Sequence, residues 1–242
     1  MTLSLRLRST ASFSHENGVK MIAYGRAGFG KTRLCATCPT PVIFSAESGL
    51  MSLREYNLPY YEIRNLGDLR DAYQWARGSS EAQQFETICL DSVSDIAETM
   101  LANLKQGKKD PRQAYGEFND DMLKTLKDFR DLPRKHVYMA AKQDRYKTPE
   151  GLVLNGPLMP GQRMGQALPY LPDIIVQLDK HPVDGYFFLR TQPDYANDAK
   201  DRSGCLDAME PPDLGHVIRK ITGAPQPQVA QAAQPQPGAT RP

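Results

Sequence analysis

Residues 25–32 read Gly-Arg-Ala-Gly-Phe-Gly-Lys-Thr, directly after an apolar run at 19–24 and before a stretch of helical character at 31–37. No other segment restricts the fold as much. A buried strand that ends in a glycine loop and re-enters as a helix belongs to a sheet flanked by helices. The spacing G-x-x-x-x-G-K-[ST] is that of a loop that wraps phosphate oxygens. Glycines let backbone N–H groups turn inward and approach an anion closely. The following helix directs its positive end to the same point. The pattern predicts a phosphate site built from Gly25, Arg26, Ala27, Gly28, Phe29, Gly30, Lys31, Thr32 and Arg33. Lys31 would bridge the β- and γ-phosphates of ATP, and the Thr32 hydroxyl would ligate Mg²⁺.

The rest of the chain alternates strand-like and helix-like segments, which predicts an α/β fold with a mostly parallel twisted sheet and helices on both faces. Strands are expected at 42–45, 60–64, 87–90, 136–141, 174–178 and 186–190. Helices are expected at about 66–77, 93–104 and 118–132, the last two placing Ile96, Met100, Leu104 and Met122, Leu126, Phe129 on single faces. Residues 105–115 are polar and basic and read as a loop, and 144–161 as a long loop or small hairpin. After residue 222 Pro, Gln and Ala dominate with no apolar periodicity, which predicts a disordered tail. The expected organisation is an N-terminal segment 1–18, an ATP-binding domain 19–222 and the tail 223–242.

The sequence has 242 residues and a net charge of +2, so contact with nucleic acid would have to come from local basic patches rather than from the global field. No apolar run is long enough to span a bilayer, and the first residues lack the continuous apolar core of a secretory signal. The four cysteines are too scattered for a disulfide framework, which points to a reducing cytoplasm. The pair Cys35 and Cys38 has C-x-x-C spacing without a second pair, and reads as structural.

Three polar residues stand where strands end. Asp91 closes the apolar run 87–90, the position from which an acid holds the water shell of Mg²⁺. Glu47 follows the strand 42–45 and would face the crevice at the carboxyl end of the sheet, where it could polarise the attacking water. Gln143 closes the segment that begins at His136, and a glutamine beside the γ-phosphate could sense hydrolysis.

In this order the segments resemble the RecA-type recombination ATPases. They are most similar to the phage-encoded RecA-like ATPases of the single-strand-annealing (Sak-type) group. The resemblance rests on the phosphate loop, VIFSAESGL, TICLDSVSDI, VYMAAKQDR and MPGQRMGQALPYLPDIIVQLD, across roughly residues 19–220. Lys142 departs from it, since that family usually carries a small polar residue before the glutamine. The resemblance implies catalytic Glu47, a sensor at Gln143, and Lys200 and Arg202 reaching a neighbouring subunit's γ-phosphate. It also implies two DNA-contacting loops: Lys105, Lys108, Lys109 and Arg112 in the first, and Arg145, Tyr146 and Lys147 in the second.

The activity expected is DNA-stimulated ATP hydrolysis on single-stranded DNA, in an oligomer or filament, with an annealing or single-strand-binding protein as a candidate partner. The alternatives are a small-molecule or nucleoside kinase and a non-catalytic module that holds ATP.

Overall fold

The computed structural model describes residues 16–47, 49–106, 108, 110–148 and 151–224. Lys109, residues 1–15 and the tail from 225 lie outside the described residues, so the expectations placed on them are not addressed by it. Ten strands form one sheet: β1 (Lys20–Gly25), β2 (Pro41–Ser45), β3 (Tyr60–Glu62), β4 (Thr87–Asp91), β5 (His136–Lys147), β6 (Val153–Pro157), β7 (Ile174–Lys180), β8 (Phe187–Arg190), β9 (Lys200–Asp201) and β10 (Met209–Glu210). The main path runs β10-β8-β7-β1-β5-β4-β2-β3. From β7 through β1, β5, β4 and β2 to β3 all pairings are parallel; β8, β10, β6 and β9 are joined antiparallel.

The apolar runs of β1, β4 and β5 are continuous because both faces of the sheet are covered. On one face Ile22, Phe44, Leu90 and Met139 pack against helices α2 (Leu66–Gly78), α3 (Val93–Gln106), α4 (Pro111–Arg130) and α5 (Gln162–Ala167). On the other, Met21, Ile43, Cys89 and Tyr138 pack against the short helix α1 (Lys31–Leu34) and α6 (Leu214–Thr222). Alternation of Met21 and Ile22 between the two clusters follows the two-residue repeat of a strand. Each fully buried Leu, Ile or Phe here contributes about 1.5–3 kcal/mol.

Two sequence expectations change. The basic segment 105–115 is mostly helical: α3 continues to Gln106 and α4 begins at Pro111. Asp110 is the N-cap, its side chain accepting a hydrogen bond from the Arg112 N–H, and proline suits the first helical position, whose N–H has no helical partner. The first candidate DNA loop is therefore not one continuous loop: Lys105 belongs to α3 and Arg112 to α4, and Lys108 lies between them.

The second change is in β5, which runs beyond residue 141 to Lys147 because β6 supplies an antiparallel partner for Gln143 to Lys147. The region 144–161 thus opens with a β-hairpin. Tyr146 lies across Gly156 so closely that a Cβ there would sit 2.6 Å from its ring. The buried Tyr24 hydroxyl ties the hairpin down, donating to the carbonyls of Asn155 (3.0 Å) and Asp198 (2.6 Å).

Candidate phosphate-binding cleft

The phosphate loop leaves the carboxyl end of β1 at the centre of the sheet. Gly25 is required by packing: a Cβ would meet the Leu178 carbonyl oxygen of β7 at 2.6 Å. Gly28 and Gly30 are required by backbone shape, with φ of 77° and 100°, a region side-chain-bearing residues rarely adopt. The helix after the loop is shorter than expected, with one α-turn at Lys31–Leu34 followed by a tighter turn at Cys35–Thr37. The loop amides and Lys31, rather than a long helix dipole, therefore supply most of the positive potential.

A cleft of about 690 Å³ opens above the loop, lined by Gly25 to Gly28, Gly30 to Arg33, Glu47, Ser52, Asp91, Ser92, Lys142, Gln143 and Leu158. Lys31 Nζ bends back over the loop and donates to the carbonyls of Gly25 (2.8 Å) and Arg26 (3.0 Å). Burial lowers its pKa, and the nearby acids Glu47, Asp91 and Asp95 oppose that shift. Phe29 does not line the cleft; its ring meets Phe187 edge-on at 5.4 Å. Arg33 is exposed and donates to the Tyr56 hydroxyl at 3.5 Å.

Asp91 is only 2% exposed, yet its Oδ2 has no hydrogen-bond partner. Burial raises its pKa, while a hydrogen bond with Thr32 and the charge of Lys31 act the other way. A buried carboxylate oxygen without a partner is costly unless something cationic meets it. Thr32 and Asp91 are hard oxygen donors that fit Mg²⁺. No group of three or more His, Cys, Asp or Glu suited to a metal occurs among the described residues.

Glu47 is fixed by Ser45, whose Oγ accepts from the Glu47 N–H at 3.1 Å. Its carboxyl shares a hydrogen bond with Asp95, a residue that sequence reasoning did not single out. That bond, with burial and the charges of Asp95 and Asp91, raises the Glu47 pKa to about 7. Burial pushes Asp95 upward, but hydrogen bonds with Glu47, Lys142 and Ser92 outweigh it and hold its carboxyl low. The shared proton therefore rests on Glu47 below neutrality. If Glu47 is the general base, its ionised fraction, and with it kcat/KM, climbs roughly tenfold between pH 6 and 8. In Asp95→Asn the acidic limb should move below pH 6, because Glu47 loses its anionic neighbour. Initial-rate measurements across that range check both.

Gln143 lies at the cleft wall, its Oε1 accepting from Gln177 Nε2 at 3.4 Å. Gln177 in turn accepts from Arg190 Nε at 3.2 Å, and Arg190 pairs with Asp194 at 3.1 Å. A polar chain thus runs from the cleft to β8.

Other predicted residues lie elsewhere. Lys200 pairs in register with Ile175, near the amino end of β7, whereas the phosphate loop leaves the carboxyl end of β1. Its Nζ bonds the Pro169 carbonyl, and burial lowers its pKa to about 8, with Arg202 adding to the shift. Arg202 faces Asp173 at 3.8 Å. Neither reaches the cleft of its own subunit. Lys105 donates to the Tyr115 hydroxyl at 3.3 Å, Lys108 pairs with Glu117, and Arg112 starts α4. Arg145 and Lys147 are exposed on the hairpin, and the Tyr146 hydroxyl donates to Asp198 at 2.9 Å. Cys35, Cys38 and Cys89 are buried behind the loop, as the structural reading of the C-x-x-C pair requires.

A family model described as an AAA domain (AAA_24) matches residues 17–203. The chain belongs to this AAA-domain family. The chain is thus a P-loop AAA-family NTPase domain with an α/β fold. A comparison with curated protein sequences finds no match. Among solved structures, the chain is similar to the flagellar accessory protein FlaH from Methanocaldococcus jannaschii, at 13% identity and a TM-score of 0.44. That likeness covers 72% of this chain and 76% of FlaH. Among the described residues of this AAA domain no helix is long and apolar enough to cross a membrane.

Proposed function

We propose that the chain is a Mg²⁺-dependent ATPase of the RecA-like recombination type, whose turnover is stimulated by single-stranded DNA during recombination or annealing. The observation that carries this reading is the convergence of Lys31, Thr32, Glu47 and Asp91 on one cleft, at the point where β5 continues into a hairpin that exposes Arg145 and Lys147. Lys31 exchanges its loop carbonyls for phosphate oxygens. Thr32 and Asp91 would hold Mg²⁺, which supplies charge neutralisation to the transferred phosphoryl group. Glu47 takes the proton of the attacking water. Gln143 lines the cleft and is also the first residue of β5 paired with β6, so a change at the cleft is passed along one strand to Arg145 and Lys147.

The rest of the reading follows the resemblance. Arg145, Tyr146 and Lys147 contact the DNA, with Lys108 as a lesser site. Subunits stack into an oligomer or filament in which Lys200 and Arg202 act across the interface. An annealing or single-strand-binding protein is the partner, in the cytoplasm. A kinase would need an arginine-bearing lid over the phosphates. Here Arg163 pairs with Asp120 of α4 at 3.0 Å and Arg145 sits on the hairpin, which does not favour that reading.

The test is steady-state ATPase activity with and without single-stranded DNA across a salt series. Turnover should rise about tenfold or more with DNA at low salt and lose that stimulation as salt displaces the Lys and Arg contacts. Equal rates with and without DNA, together with no DNA retention at low salt, would refute the DNA role.

A further inference from the structure

We propose that Lys142 is a catalytic cation acting within its own subunit, parked on Asp95 and Glu98 at the cleft until it moves to the γ-phosphate of bound ATP. The inference rests on the reading of the cleft as an ATP site and adds a residue that the RecA-type pattern does not supply. Lys142 lies directly opposite Gly25 in the parallel pairing of β5 with β1, so it stands one strand spacing from the start of the phosphate loop. It lines the same cleft as Lys31, Thr32, Glu47 and Asp91.

Its backbone is held on both sides. The N–H donates to Ser94 Oγ at 3.0 Å, and the carbonyl accepts from the Leu158 N–H at 2.7 Å. Only the side chain is free to change partner. Its ammonium pairs with Asp95 Oδ1 at 2.5 Å and Glu98 Oε2 at 2.8 Å, and the side chain keeps 38% of its exposure. Ion pairs this open to water contribute little. A terminal phosphate carries more charge than either carboxylate, so exchange of partners is favourable. With Lys200 and Arg202 held near the amino end of β7, the cations that line the cleft in a lone subunit are Lys31, Arg26, Arg33 and Lys142, and of these Lys142 is the one paired with the acids beside Glu47.

The exchange has a consequence for the base. When Lys142 leaves Asp95, the proton in the Glu47–Asp95 hydrogen bond shifts from Glu47 Oε to Asp95 Oδ. Glu47 is then the carboxylate, ready to accept a proton from water. Lys142 thus links arrival of a γ-phosphate to activation of the base.

The test compares ATP and ADP affinities, kcat and thermal stability in the full chain for wild type, Lys142→Met, Lys142→Arg and Glu98→Gln. The Met variant should lose about tenfold in ATP affinity and tenfold or more in kcat, with ADP affinity unchanged. The Arg variant should keep the preference for ATP over ADP. Glu98→Gln, which loosens the parking site, should preserve or raise that preference. An unchanged ATP-to-ADP ratio in Lys142→Met overturns the proposal, as does an equal loss of both affinities with a lowered melting temperature, the mark of a mere staple between β5 and α3. Should Lys31→Ala also leave ATP binding intact, the ATP site itself fails. Loss of binding in Lys31→Ala with an unchanged ratio in Lys142→Met refutes Lys142 alone.

Discussion

With Glu47 replaced by Gln, ATP affinity stays within about twofold of wild type while turnover falls about 100- to 1,000-fold. Glutamine nearly matches glutamate in shape, and its amide can donate to the Asp95 carboxylate that already partners Glu47. The first turn of α3 and the loop after β2 therefore stay in place. What is lost is the oxygen that takes a proton from water. A residue used only in the transition state should lower kcat without touching ground-state binding. Equilibrium ATP binding paired with single-turnover hydrolysis separates the two quantities. An unchanged turnover would instead favour a module that holds ATP without hydrolysing it.

Lys31→Ala should act on the other quantity. Its ammonium is partly buried, and desolvation already lowers its pKa, so its charge is more costly to keep here than in water. Its partners in the nucleotide-free chain are two loop carbonyls, and Arg26 at least is open to solvent. The substitution should therefore leave the melting temperature nearly unchanged. A charge-assisted bond from lysine to phosphate in a partly desolvated cleft contributes about 2–3 kcal/mol, so ATP affinity should fall about 30- to 150-fold. Thermal melting with and without Mg·ATP reports both effects, because ligand stabilisation should vanish with the affinity.

Much of the cleft was legible because it lies on buried central strands. Glycine spacing, a preceding apolar run and an acid at the end of TICL mark positions that the parallel sheet brings together at one edge. Glu47, Asp91 and Gln143 meet there for the same reason. Asp95 and Lys142 were not legible as a pair. Their contact depends on how α3 crosses β5, a tertiary fact that no spacing encodes. The helix α4 was misplaced at its start because the polar residues of QGKKDPRQAYG outweighed the Asp-Pro signal, which caps a helix rather than breaking it. The helix α6 was missed although its cues were present: Asp213 as cap, Leu214, Val217 and Ile218 on one face, and Gly223 at the left-handed end. The hairpin was ambiguous because its stability comes from Tyr24, Asn155 and Asp198, which are far apart in sequence.

Titration of the purified chain with ATP in the presence of Mg²⁺, beside Lys31→Ala under identical conditions, is the most direct test of the account. Saturable binding by the wild type, weakened about 30- to 150-fold in the variant while both proteins melt alike, is the predicted result. Equal affinities in the two proteins, or no saturable binding by the wild type, would contradict it.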